Sequence, residues 1–346
     1  MSYLILGIET SCDETSAAVV RDGKQMLSNV VSSQIDVHNA FGGVVPEIAS
    51  RMHTEIILQV INQALETAET SAGEVEAIAV TQGPGLIGSL MVGISTAKAL
   101  SFSHGKPLVG VNHLESHIAV AHLENEIDFP FVALIVSGGH TNLYMVRGFL
   151  DFELLGSTRD DAAGEAFDKG AKALGLGYPG GVEIDRLSKN GDPDAISFPR
   201  PFNNESPDFS FSGLKTALLN HIRKNPVKSE ENLFNVCAGY QEAIVETLID
   251  KTLNAARKNG VEGVVLAGGV ACNSRLRQLS EERIRRKGIN VFIPSPALCT
   301  DNAAMIATLG YHMYADNRVS ALDISPYSTA RKNQKIMFRS RRQPHP

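Results

Sequence analysis

The chain has 346 residues, 43% hydrophobic and 20% charged, so it can bury a large core and exceeds the size at which single cores usually stop growing. Its net charge of −6 and its lack of tryptophan argue against nucleic-acid binding by the whole surface or by a broad aromatic platform. Four cysteines, Cys12, Cys237, Cys272 and Cys299, show no C-x-x-C pairing, which argues against a zinc ribbon or a disulfide scaffold.

In chain order, the apolar run Tyr3 to Ile8 meets Glu9 too early for a signal peptide and follows no basic region. No window reaches membrane-spanning length, so a cytoplasmic protein without membrane contact is expected. Leu4 to Val20 reads as two strands joined by a small polar turn through Glu9-Thr10-Ser11-Cys12-Asp13-Glu14-Thr15-Ser16. Ala77 to Thr81 reads as a buried strand leading into Gly83-Pro84-Gly85, a helix from about Ser89 to Phe102 and the short strand Leu108 to Val111. Gly83 to Gly88 fits G-x-G-x-x-G, but no acid follows before Glu115, so the dinucleotide fingerprint fails. Gly88-Ser89 also lacks the lysine of a phosphate-binding Walker loop.

A helix is predicted next, with Asn112 as N-cap, Glu115 in capping-box position and Ile118, Ala121 and Leu123 continuing the apolar pattern. On that helix His113 and His117, four residues apart, share a face and can reach one ion. Two imidazoles suit iron, zinc or nickel better than calcium or magnesium, and a further ligand is needed. In a chain with ten His such a pair also arises by chance. It is not a zincin signature, because Leu114 stands where H-E-x-x-H needs glutamate.

The same order of elements then recurs. Phe131 to Val146 reads as strand, turn and strand through Ser137-Gly138-Gly139-His140-Thr141-Asn142. Val264 to Ala267 leads into Gly268-Gly269-Val270, a helix from Ser274 to Lys287, the strand Val291 to Ile293 and a last helix, Ala303 to Tyr314. Between these lies an irregular stretch from Leu174 to Phe211, then helical patterns at Gly213 to Lys224 and Glu230 to Lys258. The duplication implies two like α/β lobes around a cleft, in the pattern of the actin, hexokinase and Hsp70 ATPase superfamily. The expected division is residues 1–128 and 129–330, with an insertion around 174–225 and a basic tail at 331–346.

Three glycine-rich or polar turns in that frame, Glu9 to Ser16, Ser137 to Asn142 and Gly268-Gly269, suit a nucleotide-like ligand. Asp301 opens the last helix, the second-repeat counterpart of the helix carrying the His pair. Pseudo-symmetry therefore offers it as the third metal ligand across the cleft, against the alternative of a helix N-cap. Two cationic clusters, Arg275 to Lys287 and Arg331 to Arg342, read as solvated surface, with a phosphate contact by the tail as the alternative.

The strings Gly7-Ile8-Glu9-Thr10-Ser11-Cys12-Asp13-Glu14-Thr15, Val136-Ser137-Gly138-Gly139-His140-Thr141 and Asp160-Asp161-Ala162-Ala163-Gly164-Glu165-Ala166-Phe167-Asp168-Lys169 resemble one family. So do Gly268-Gly269-Val270-Ala271-Cys272-Asn273 and Pro294-Ser295-Pro296 with Thr300-Asp301-Asn302. It is the tRNA adenosine threonylcarbamoyltransferase family, bacterial TsaD type, formerly described as O-sialoglycoprotein endopeptidases, and the likeness runs from Leu4 to Tyr314. The resemblance implies transfer of threonylcarbamoyl from its adenylate to N6 of adenosine 37 in tRNAs reading ANN codons, with release of AMP. It implies one divalent metal, iron or alternatively zinc, on His113, His117 and Asp301. It implies an adenylate site of Val136, Ser137, Gly138, Gly139, His140, Asp168, Gly181, Asp185 and Asn273. The implied partners are tRNA, a paralogous actin-like subunit and a small P-loop ATPase. Asp13 and Glu14 are candidates for orienting the amine or taking its proton, or for simple turn chemistry. The competing expectations are a metal-dependent endopeptidase and a non-catalytic ATP-binding actin-like module.

Overall fold

A computed structural model describes residues 2–200 and 206–329. The basic tail and residues 201–205 of the expected insertion lie outside the described residues. The chain begins with β1 (Leu4–Glu9), β2 (Glu14–Arg21), β3 (Gln25–Ser33), α1 (Ile35–Asn39) and α2 (Pro46–Thr67). Then come β4 (Ala77–Gly83), α3 (Ile87–His104), β5 (Leu108–Asn112) and α4 (His113–Ala119). The next group is β6 (Phe131–Val136), β7 (Thr141–Gly148), β8 (Asp151–Ser157), α5 (Ala163–Ala173), α6 (Gly180–Ser188), α7 (Ser212–Lys224) and α8 (Glu230–Asn259). The described chain closes with β9 (Gly263–Ala267), α9 (Ser274–Arg283), β10 (Asn290–Phe292), α10 (Pro296–Cys299) and α11 (Ala303–Ala315).

Two five-stranded sheets form, ordered β3-β2-β1-β4-β5 and β10-β9-β6-β7-β8. Read from the opposite end, the second repeats the first. In each, the three hairpin strands pair antiparallel and the two crossover strands add in parallel. The central strands explain this. β6 is buried along its whole length and β1 from Ile5 onward, as strands covered on both faces require. Both expected hairpins form, and their register sets Glu9 opposite Ser16 and Val136 opposite Thr141, which pins each polar turn to a strand end. This is the duplicated actin-like α/β fold.

The chain divides into two compact units, Met1–Asn125 with Thr300–Pro346, and Glu126–Cys299. That differs from the expected division at 128/129, because the last helix joins the first unit rather than the second. Small residues are the reason. A Cβ at Gly7 on β1 would lie 2.4 Å from the Ala303 carbonyl oxygen, and one at Gly310 would lie 2.5 Å from the Ala79 Cβ on β4. α11 therefore packs closely on the first sheet, and most of its length is buried.

Other elements were not anticipated. β3, β8 and α2 carry mixed burial along their length, so neither a clean alternation nor a continuous apolar run announces them. The stretch expected to be irregular contains α6. α9 stops at Arg283 instead of Lys287, where a short 3₁₀ turn runs into Gly288 at φ 80°. Its cations are largely matched by acids. Arg275 pairs with Glu242 at 2.6 Å, Arg283 with Asp250 at 2.9 Å and with Glu246, and Arg285 with Glu281 at 2.9 Å. Among the described residues, no helix is long and apolar enough to cross a membrane.

Candidate metal centre

α4 starts where β5 ends, and Asn112 makes that junction. Its side-chain oxygen accepts from the Leu114 amide at 2.8 Å and the Glu115 amide at 3.2 Å, so His113 occupies the first helical position. His117 follows one turn later, with ring centroids 4.8 Å apart and planes at 85°. The third group comes from the entry to α11. Asn302, not Asp301, is the N-cap there, accepting from the Met305 amide at 3.2 Å, while Ser16 Oγ accepts from the Ala303 amide at 2.9 Å. Asp301 Oδ1 then lies 3.1 Å from His117 Nε2 and 3.6 Å from His113 Nε2. One ligand atom from each of the three residues falls within 4.8 Å of the others. All three belong to one compact unit, whereas pseudo-symmetry assigned Asp301 to the opposite lobe.

Glu9 was legible only as part of a turn string, and the structure gives it a particular place. Its buried carboxylate accepts from the Ser11 amide and from Thr81 Oγ1, both at 2.5 Å, and stands 3.2 Å from His113 Nδ1. Ser11 Oγ reaches the same nitrogen at 3.2 Å. A carboxylate on the far nitrogen of a ligating imidazole fixes its tautomer and turns the other nitrogen toward a metal. His117 Nδ1, by contrast, is buried without a hydrogen-bond partner among the described residues. Two imidazole nitrogens and one carboxylate oxygen facing one point, with one imidazole braced by a buried acid, fit an imidazole-binding divalent metal.

The electrostatics agree with that donor set. Burial alone would depress His113, but the Asp301 and Glu9 carboxylates outweigh it and raise the imidazole to about 9. Burial, then Asp301, then Asp13 push Glu14 up to about 10. Burial raises Glu115 to about 7 against the opposing charge of Arg318. A pH dependence follows. Below about 9 a metal must displace the His113 proton, so affinity should fall roughly tenfold per pH unit as pH drops. Titration of the metal-stripped protein with Zn²⁺ is expected to give binding roughly 100-fold tighter at pH 8.5 than at pH 6.5. Equal affinities would remove His113 from the ligand set.

The residues expected to hold an adenylate all fall in the second unit. Val136 ends β6, and the hairpin turn closes with the Ser137 amide donating to the His140 carbonyl at 2.8 Å and the His140 amide to Ser137 Oγ at 3.1 Å. Gly164, opening α5, lets that helix abut the turn, since a Cβ there would meet the Ser137 carbonyl at 2.6 Å. A Cβ at Gly138 or Gly139 would meet nothing within 4 Å among the described residues. Asp168 on α5 accepts from the Gly180 amide at 2.8 Å; burial raises its pKa although the Gly180 and Gly181 amides oppose. Asp185 on α6 accepts from Ser274 Oγ at 2.8 Å. Asn273 caps α9 through the Leu276 amide at 3.0 Å and donates to Gln241 at 2.7 Å. Asp168, Gly181, Asp185 and Asn273 thus form one connected edge around α6. In the first unit, Asp13 is buried and Glu14 opens β2, accepting from Ser33 Oγ at 3.2 Å.

Residues 25–308 match the family model described as tRNA N6-adenosine threonylcarbamoyltransferase. A curated protein of that name from Syntrophus aciditrophicus is 59% identical over 327 residues, covering 94% of this chain and 96% of its own length. Its namesake from Geotalea uraniireducens is 57% identical over 323 residues, covering 93% and 94%. Among solved structures, component A of the (R)-2-hydroxyglutaryl-CoA dehydratase of Acidaminococcus fermentans superposes with a TM-score of 0.54 at 15% identity, covering 91% of this chain and 99% of its own. HypF from T. kodakarensis gives 0.62 at 14% identity, covering 91% of this chain and 48% of its own. At such identities these two structures share the fold alone.

Proposed function

Because this chain belongs to the tRNA N6-adenosine threonylcarbamoyltransferase family, we propose that it takes its acyl group from L-threonylcarbamoyl-adenylate, delivers it to adenosine 37 of tRNAs reading ANN codons and releases AMP. The protein is an acyltransferase that places threonylcarbamoyl on N6 of adenosine in tRNA. The observation that carries the assignment of its centre is the convergence of His113, His117 and Asp301. We assign them a divalent metal, iron, with zinc as the alternative. Such a metal, when bound, supplies Lewis-acid polarisation and offsets the charge of the acyl adenylate.

The remaining work falls to the chain's own groups. Adenosine N6 is a poor nucleophile, so positioning and electrostatics must lower the barrier. The Val136 to His140 turn, with two glycines open to close approach, offers backbone amides to the phosphate. Asp168, Gly181, Asp185 and Asn273 form the edge assigned to the nucleoside, where hydrogen bonds of Asp168 to the Gly180 amide, of Asp185 to Ser274 and of Asn273 to Gln241 hold donors and acceptors in fixed directions. Glu14, held protonated up to about 10 chiefly by burial, is suited to donate a hydrogen bond. Asp13 is assigned to orient the amine and accept its proton.

The testing experiment supplies the chain and its partners with threonylcarbamoyl-adenylate and unmodified tRNA, then weighs the nucleosides after digestion. A heavier adenosine at position 37 with stoichiometric AMP is expected. Glu115→Gln should change the rate less than about threefold, because Glu115 is not one of the three converging groups. Absence of the modified nucleoside, with Glu115-dependent cleavage of a glycoprotein instead, would establish the peptidase reading.

Partners follow from charge. An acidic chain without tryptophan is poorly equipped to hold tRNA alone. The assigned partners are a paralogous actin-like subunit and a small P-loop ATPase, acting in the cytoplasm. The isolated chain should therefore bind tRNA weakly and turn over little, at most about a tenth of the rate of the mixture. Multiple-turnover transfer by the chain alone at the full rate would contradict that assignment.

A further inference from the structure

The second unit holds a pair of thiols that the transfer chemistry does not use. Cys272 ends the turn Gly269–Cys272, and Cys299 ends α10. They lie 27 positions apart in sequence, yet they share one small neighbourhood. Cys272 Sγ donates to the Pro296 carbonyl at 3.9 Å and Cys299 Sγ to the Pro294 carbonyl at 3.2 Å, two carbonyls two residues apart on one segment. Arg277 stands over them. Its guanidinium donates to Cys299 Sγ at 3.5 Å, to the Pro294 carbonyl at 2.8 Å and to the Ala271 carbonyl at 2.8 Å. Cys272 is partly exposed, whereas Cys299 is buried. The other two thiols are held protonated: burial, followed by the Asp13 charge, holds the Cys12 thiol well above its ordinary range, and burial raises Cys237 to about 12.

We propose that Cys272 and Cys299 form a reversible disulfide that switches the transferase off under peroxide stress. The chemistry needs an exposed attacking sulfur and a nearby resolving one, and the pair supplies both. The influence of the neighbouring Cys299, assisted by the Arg277 charge, lowers the Cys272 thiol to about 7 despite burial, which makes a thiolate available near neutral pH. The Cys272 thiolate attacks hydrogen peroxide, breaking the O–O bond to give a sulfenic acid and hydroxide. Cys299 sulfur then displaces the sulfenic oxygen, which leaves as water with the Cys299 proton. The two sulfurs lose two electrons in all and peroxide gains them. A dithiol reductant reverses the change by exchange.

Position makes the link consequential. Cys272 adjoins Asn273, which caps α9 and bonds Gln241. Cys299 lies two residues before Asp301, where the chain passes from the second unit to the first. A covalent bond between them draws the Gly269–Cys272 turn and the segment leading to Asp301 together. It displaces a residue assigned to the adenylate and one assigned to the metal.

The test treats the whole chain with hydrogen peroxide, alkylates free thiols under denaturing conditions, and maps peptides by mass. The expected result is a 272–299 cross-linked peptide with Cys12 and Cys237 still alkylated, together with at least a tenfold loss of tRNA modification in the assembled enzyme that dithiothreitol restores. Cys272→Ala should be active and keep its activity after peroxide. If that variant folds poorly, the wild-type mass map and the reversal by dithiothreitol decide the matter alone. Four alkylated cysteines after peroxide would overturn the proposal. So would full modification activity in a preparation that is completely cross-linked at 272–299. Both outcomes are read against untreated enzyme, so failure of the transfer reaction itself would show separately.

Discussion

Asp301→Ala is expected to purify folded, with bound iron or zinc below about a tenth of the wild-type content and transfer slowed by roughly 100- to 1,000-fold. That range corresponds to losing a few kcal/mol of transition-state stabilisation. Folding should survive because Asp301 is not the structural group at that helix end: Asn302 caps α11, and Ser16 holds the Ala303 amide. His113→Ala and His117→Ala should reproduce the loss of metal and of modified tRNA together. Metal analysis beside nucleoside mass spectrometry reads both quantities on the same preparation. Wild-type metal content in Asp301→Ala would remove it as the third ligand.

Glu9→Gln is the second variant with a large expected effect. The carboxylate is fully buried and accepts from the Ser11 amide and Thr81 Oγ1 while facing His113 Nδ1. An amide of equal size cannot accept from all three, and it removes the charge that braces the imidazole. Metal affinity should fall about 10- to 100-fold, the usual cost of losing such a brace. Stability should fall by about 1–3 kcal/mol, from a buried donor left without an acceptor. Two readouts separate these roles: metal competition against a chelator, and thermal unfolding of the stripped protein. Lower stability with unchanged metal affinity would reduce Glu9 to a strand-end anchor.

The glycine at position 7 shows why the domain division differed from expectation. Nothing in a run of alternating elements says which sheet a chain-terminal helix will cover. The choice lies in two close approaches, Gly7 to Ala303 and Gly310 to Ala79, between residues far apart in sequence. Once α11 is seated there, Asp301 is delivered to the histidine pair within one unit. The likelihood of Asp301 as N-cap could not be decided from sequence either, because Asp301 and Asn302 are both good caps. The backbone at Asn302, extended at φ −154° and ψ 155°, makes the choice.

By itself the sequence determined the paired strand–turn–strand and βαβ orders, the family, and the His113–His117 pair, because each rests on local periodicity or on residues close in the chain. Only the tertiary structure decided the bracing of His113 by Glu9, the joining of Asp168 to Gly180 and of Asp185 to Ser274, the neutralisation of α9 by acids of α8, and the meeting of Cys272 with Cys299. Those depend on directional hydrogen bonds and charges between distant segments. Their partners are chosen by packing rather than by spacing along the chain.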